Sequence, residues 1–201
     1  MLDNQNTRHT LLQKLQKAET EDCWDDFVKY YEGYIYVVIR NFNIKAEDSE
    51  ELLQDVLVKV WKNISSYDYD KDKCRFRTWL CVVIRNTVYN FLGKKSSRNS
   101  KQNVCYDDVL EKLNLISDSE IDKISEREWQ NYVANMAWEN IKGDFSELSR
   151  NIFETAMDED ISNVEIAQKY DVAESSVRVY KMRVRKAVYK EIVRLNNELG
   201  G

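Results

Sequence analysis

A chain of 201 residues is long enough for one domain or two small ones, and 43% hydrophobic with 32% charged residues excludes disorder throughout. With 0 Pro and 5 Gly the strongest helix breakers are almost absent, so a mostly helical chain is expected. The net charge of −5 hides an asymmetry: residues 71–101 hold nine basic side chains against one acid, and residues 175–194 hold seven against one.

Two basic blocks in an acidic protein are what a phosphate-binding surface looks like, because counterion release rewards local clustering rather than overall charge. The N-terminus, MLDNQNTRHT, lacks the apolar stretch of a signal peptide, and no apolar run approaches the roughly 18 residues of a membrane span. No membrane insertion is expected, and the protein is expected to stay in the cytoplasm. Residues 7–18 read as a short amphipathic helix. In residues 22–42, Trp24, Phe27, Tyr31, Tyr34, Ile35, Val38 and Phe42 recur three and four apart, the stripe of a buried helix. Gly33 costs about 1 kcal/mol inside that helix and is expected to mark a close packing contact.

A helix over 46–64 keeps Leu52, Leu53, Val56, Leu57, Val60 and Ile64 on one face. Glu47, Asp48, Glu50 and Glu51 load its first turns, where the helix dipole favours negative charge. Mid-helix Asp55 is either a solvated carboxylate or a contact for a basic partner. Residues 65–74, SSYDYDKDKC, form a polar loop. The next helix runs from Phe76 to Leu92, with Phe76, Leu80, Val83, Ile84, Thr87 and Phe91 as its core stripe. Trp79, Asn86 and Asn90 share one shoulder of that stripe, and Arg85 points away. The polar stretch GKKSSRNSKQN, 93–103, is expected to end the helix.

From 104 to 128 the chain holds eight acids against three bases and is weakly periodic, which reads as a tether and a helix start. A second domain is expected from near Trp129. In it, residues 164–170 form a short helix, 171–174 a turn, and Ser175 onward a long basic helix. Helix-turn-helix units have this form: Ala167 is small enough for close helix approach, and Val172 plugs the corner. Val177, Tyr180, Val184, Val188 and Ile192 face inward; Arg178, Met182, Lys186 and Lys190, flanked by Val179 and Arg183, face out, as suits a major groove. Cys23, Cys74, Cys81 and Cys105 form no CxxC pair and His9 is the only histidine. Inert reduced thiols, no metal site, no cofactor and no His-based catalysis are therefore expected.

The segments "AEDSEELLQDVLVKVWKNI", "RFRTWLCVVIRNTVYNFL" and "VEIAQKYDVAESSVRVYKMRVRKAV", in this order, resemble bacterial RNA polymerase sigma factors of the sigma-70 family. They are most similar to the small extracytoplasmic-function group, which keeps only regions 2 and 4, and the likeness covers about residues 20–95 and 130–192. It implies an all-α fold of two small helical domains joined by a flexible linker: a region 2 bundle over 7–95, the linker over 96–128 and a region 4 helix-turn-helix over 129–195. It also implies a protein with no enzyme activity of its own. Such a factor binds core RNA polymerase, at the clamp helices of β′ and the flap of β, and directs it to promoter DNA. In the family, an anti-sigma protein commonly holds small members in check.

The resemblance assigns Asp48, Glu51, Gln54 and Asp55 to the polymerase-binding surface, which gives Asp55 its basic partner. Residues 65–95 match the segment that recognises and melts the −10 promoter element. Unstacking a base costs a few kcal/mol, and stacking on an aromatic ring returns about 1–3 kcal/mol. Asn86 aligns with the base-pocket asparagine, whose amide both donates and accepts, and Tyr67 and Tyr69 lie in the neighbouring loop. Lys73, Arg75, Arg77, Lys94 and Lys95 suit backbone phosphates, and Trp79 is either core or base-stacking. For the −35 element, Arg178, Val179, Met182 and Arg183 occupy reading positions, Lys181 and Lys186 suit phosphates, and Ser175 and Ser176 suit the helix cap. The family often has Leu-Pro before region 4 and Gly and Pro in the turn. Here "GDFSELSR" lacks Pro and the turn uses Asp171, Ala173 and Ser175, which leaves −35 specificity open. Two other readings compete. A stand-alone helix-turn-helix regulator would dimerise on duplex DNA without polymerase. A nucleic-acid enzyme would use Asp68 and Asp70 on Mg²⁺, although a polar loop explains that pair more simply.

Overall fold

The computed structural model describes residues 6–17, 21–67, 76–98, 104–157 and 161–199, and all regular structure among them is helical. They group into two compact units, Asn6–Tyr132 and Val133–Gly201. The first holds α1 (Asn6–Gln16), α2 (Glu21–Asn41), α3 (Ala46–Asn63), α4 (Phe76–Arg98) and α5 (Val104–Leu115); α6 (Asp118–Ile141) starts in it and ends in the second.

The stripe of α2 is the centre of the first core: Phe27, Tyr31, Tyr34, Ile35 and Val38 are buried, with Trp24 half-buried at one end. On α3, Leu52, Leu53, Val56, Leu57 and Val60 are buried, as is Ile64 just past its end. On α4, Phe76, Leu80, Ile84 and Thr87 are buried with Cys81, Val88 and Leu92, while Val83 and Phe91 are half-buried. The rings pack as a chain: Phe27 stacks on Tyr31 at 4.8 Å, and Phe76 meets Tyr31 edge-on at 5.4 Å. Such pairs add about 0.5–1.5 kcal/mol beyond the area they bury. Burial pushes the Cys81 thiol up to about 12, so it carries no thiolate at neutral pH.

Three expectations are corrected in this unit. Helix α4 does not stop at Leu92 but runs to Arg98, because one glycine costs a helix only about 1 kcal/mol. Residues 104–128 are not a tether: they are largely helical, and Leu113 and Ile121 are buried. Ser117 and Glu120 start α6 with a reciprocal cap, in which the Ser117 amide donates to the Glu120 carboxylate at 2.8 Å and the Glu120 amide to the Ser117 hydroxyl at 3.3 Å. Trp129, expected to open the second domain, lies in the first unit, buried against Tyr31 and Tyr34.

Gly33 does mark a close approach. A Cβ there would lie 2.8 Å from Tyr132 Cε2, and the Tyr132 hydroxyl donates to the Tyr30 carbonyl at 3.2 Å. At Gly93 the same addition meets nothing within 4 Å. Gly33→Ala is therefore expected to lower stability by about 1 kcal/mol, overpacking outweighing the gain in helix propensity. Gly93→Ala is expected to raise it by about 0.5–1 kcal/mol. Urea midpoints measure both.

The second unit adds α7 (Glu147–Thr155), α8 (Asn163–Lys169) and α9 (Glu174–Leu199). Ser146 caps α7, and Ser162 with Glu165 forms a capping box on α8. Asp171 takes the left-handed conformation, φ 50°, that turns α8 into α9, and the Val172 amide donates to the Ala167 carbonyl at 3.0 Å. Ile152, Ile166, Ala167 and Val177 form the core, with Val172 and Tyr180 packed against it. This is the helix-turn-helix geometry expected from the sequence.

At the far end of α9, Glu191 accepts two bonds from Arg194, at 2.6 and 2.8 Å, and one from Asn140 at 2.9 Å. The Arg194 guanidinium, first among these, holds the Glu191 carboxyl at about 2. A depressed carboxyl contributes stability that is present above its ordinary value of about 4.5 and lost as pH falls towards about 2. Glu191→Gln is expected to flatten that acid limb in a thermal-melting series and to cost the same amount at neutral pH, a modest one because Arg194 is exposed.

Candidate nucleic-acid interfaces

Asp48, Glu51 and Asp55 recur three and four apart on α3 and share one face, with Gln54 beside them. Glu51, Gln54 and Asp55 are exposed, whereas Asp48 is half-buried. The face runs on through exposed Val58, an apolar side chain absent from the sequence-based set, while exposed Trp61 meets the Trp24 ring edge-on at 5.0 Å. Asp48, Asp55, Lys59, Asn90, Phe91 and Lys94 line one open groove between α3 and α4. Both Asp48 oxygens accept from Lys95 Nζ, at 2.6 and 2.7 Å, and that amine lies 5.3 Å over the Phe91 ring.

On α4, Asn86, Tyr89, Asn90 and Lys94 are exposed together. Arg85 donates from Nε and Nη2 to Asn86 Oδ1 at 3.3 and 3.2 Å. Arginine has only donors, so the amide atom facing it is the oxygen and the amino group is left for a partner. Tyr89 was missed in the sequence. The signal was its place three residues past Asn86 and off the core stripe.

Several expected −10 contacts stand elsewhere. Arg77 is 7% exposed; its guanidinium lies 4.6 Å over the Trp129 ring and 3.6 Å from the Glu126 carboxylate, so it braces α6 instead of meeting a phosphate. Tyr67 is 5% exposed and packs on Phe76 at 5.5 Å and Trp79 at 5.2 Å, as core. Half-buried Trp79 completes that cluster, 5.6 Å from Phe76. Lys95 is the partner of Asp48. Tyr69, Lys73 and Arg75, with Asp68 and Asp70, lie outside the described residues.

On α9, Ser175, Arg178, Val179, Met182, Arg183 and Lys186 are exposed, Met182 at 64%. Arg178 meets Glu174 one turn back at 2.6 Å. Lys181 differs from expectation: its amine donates to Asn163 Oδ1 at 2.8 Å and ties α9 to α8. Ser175 and Ser176 sit inside the first turn and not at the cap, since the Ala173 carbonyl accepts from the Ser176 and Val177 amides at 2.9 and 3.2 Å. Tyr189 and Val193 extend the exposed apolar face beyond these positions.

Among the described residues no group of three or more His, Cys, Asp or Glu could hold a metal ion, and no helix is long and apolar enough to cross a membrane. Residues 27–98 match the family model for sigma-70 region 2. The solved structure of CnrH in complex with the cytosolic domain of CnrY aligns over 92% of this chain and 96% of that one, at 14% identity and a TM-score of 0.36. That likeness is too loose to transfer a partner or a domain arrangement. No curated protein matches the chain.

Proposed function

Residues 27–98 belong to the sigma-70 region 2 family, and from that premise we propose that the chain is a sigma factor of the extracytoplasmic-function type. It binds core RNA polymerase through α3, holds the opened −10 element along α4, and reads the −35 element as duplex through α9. The observation that carries this reading is the pairing, within the matched segment, of an acidic α3 face with exposed Asn86, Tyr89, Asn90 and Lys94 on α4.

Each surface suits its task by its chemistry. Exposed Glu51 and Asp55 complement a basic helical partner, and their placement on one helix face sets its direction. Along α4 the Tyr89 ring offers a stacking platform and the Asn86 amino group a donor to a base edge, while Lys94 meets the backbone. On α9, Arg178 and Arg183 have the fork geometry for guanine, and Val179 and Met182 suit thymine methyl groups. Phosphodiester chemistry belongs to the core enzyme. A stand-alone regulator leaves the α3 acid face without a purpose.

Single-round transcription from pooled genomic fragments, with purified core enzyme, tests the proposal. Discrete start sites that appear only when the chain is added support it. Identical transcripts with and without the chain contradict it.

A further inference from the structure

Arg85 and Asn86 are neighbours on α4, the first half-buried and the second exposed. The guanidinium joins two elements. Its Nη1 donates to the Ile116 carbonyl at 3.4 Å, in the joint between α5 and α6, while Nε and Nη2 both donate to Asn86 Oδ1, at 3.3 and 3.2 Å. The Ser117–Glu120 cap holds that joint one residue further on. Among the described residues Arg85 forms no ion pair, and the Asn86 amino group donates to no other group. An amide oxygen has two lone pairs, so two N–H donors fill Oδ1 and leave both N–H groups of Nδ2 for a ligand.

We propose that Arg85 is a positioning residue that fixes Asn86 as a donor only, so that this part of α4 takes a base by its carbonyl oxygen and discriminates against adenine; the proposal rests on the reading of α4 as the −10 surface. An unrestrained asparagine amide matches adenine with both ends, its oxygen accepting from N6 and its amino group donating to N7. With Oδ1 filled, that match requires Arg85 to let go. Adenine can still accept at a ring nitrogen, but its N6 amino group then finds no acceptor, and an unmet polar group is the costly outcome. Thymine, cytosine and guanine each carry a carbonyl oxygen that accepts from Nδ2 while Arg85 stays in place. The restraint begins at Ile116, in the stretch whose composition reads as a tether. A segment that follows α4 thus sets the chemistry of a reader on α4.

The experiment titrates the full chain into fluorescein-labelled oligo(dT) and oligo(dA) single strands of about 20 nucleotides, long enough for one binding groove. Fluorescence anisotropy gives a Kd for each strand, and the observable is how their ratio changes between variants, from which the self-stacking of oligo(dA) cancels. Wild type should favour oligo(dT). Arg85→Met is expected to lower that preference about five-fold, the low end for one two-point base contact, while its lost charge weakens both strands alike. In an Asn86→Ala background the same substitution should leave the ratio unmoved. Asn86→Asp keeps the partner of Arg85 but turns an acceptor outward, and it should shift the ratio towards oligo(dA).

A ratio that Arg85→Met leaves unchanged, or moves equally without Asn86, overturns the proposal. An Asn86→Asp chain with the wild-type preference overturns it too. Co-elution of the wild type with core polymerase, run in parallel, separates this failure from the larger one. A chain that co-elutes but binds both strands alike, or neither, loses the fixed amide and keeps its assignment. A chain that neither co-elutes nor binds a strand loses both.

Discussion

Replacing Trp129 by alanine is expected to destabilise the Asn6–Tyr132 unit by about 3–5 kcal/mol, the range for deleting a large buried aromatic side chain. The indole is 2% exposed, stacks 6.1 Å from Tyr31 and meets Tyr34 edge-on at 5.5 Å. It also covers the Arg77 guanidinium at 4.6 Å, so its loss opens a cavity beside a buried charge. Thr78, whose hydroxyl is 2.6 Å from an Asp122 oxygen, and Asn41, which donates to Glu128 at 2.9 Å, join the same α6 segment to α4 and α2. Urea unfolding followed by circular dichroism measures the effect. A loss below about 1 kcal/mol would mean that Trp129 is not part of this core, as expected if 104–128 were the tether its composition implies, since surface substitutions seldom exceed about 0.5 kcal/mol.

Arg178→Ala and Arg183→Ala are each expected to weaken recognition of the upstream duplex element about 10- to 100-fold, since a bidentate arginine contributes roughly 1–3 kcal/mol of discrimination. Arg178 must first leave Glu174, and that exposed one-turn pair opposes the move by only about 0.3–0.5 kcal/mol. Lys186→Ala should act differently, weakening every sequence alike and lowering the salt slope by about 1. None of the three should change the melting temperature, because all three side chains are exposed. The assay is duplex binding by the assembled holoenzyme, on the upstream element of a start site mapped by transcription. Equal losses on a scrambled duplex for Arg183→Ala would remove it from base reading.

The helices of the first core were legible because their apolar positions repeat at helical spacing and their neighbours are polar, as in α2 and α3. The turn before α9 was legible too, since Asp171 is among the few residue types that accept a positive φ. Arg77 was not. It stands in the same basic run as Arg75 and Lys73, and what buries it is a tryptophan far along the chain. The α6 segment was hidden by its acids: Asp122, Glu126 and Glu128 read as solvated, yet each reaches a polar or cationic group on α4 or α2. The Ser117 and Glu120 spacing was a usable sign of that helix start, and it went unread. Lys95 and Lys181 show the limit of reading charge from sequence. Both lie in basic blocks, and both are committed to partners within the protein.

Size-exclusion chromatography of the chain with purified bacterial core RNA polymerase, for wild type and Asp55→Arg, tests the central claim most directly. Asp55 is exposed in the middle of α3, so the reversal alters the acid face without entering the core. A sigma factor co-elutes with the core enzyme, and the charge reversal leaves most of the chain in its own peak. A wild-type chain that stays apart from inhibitor-free core enzyme from its own or a related source, or a variant that co-elutes equally well, contradicts the assignment.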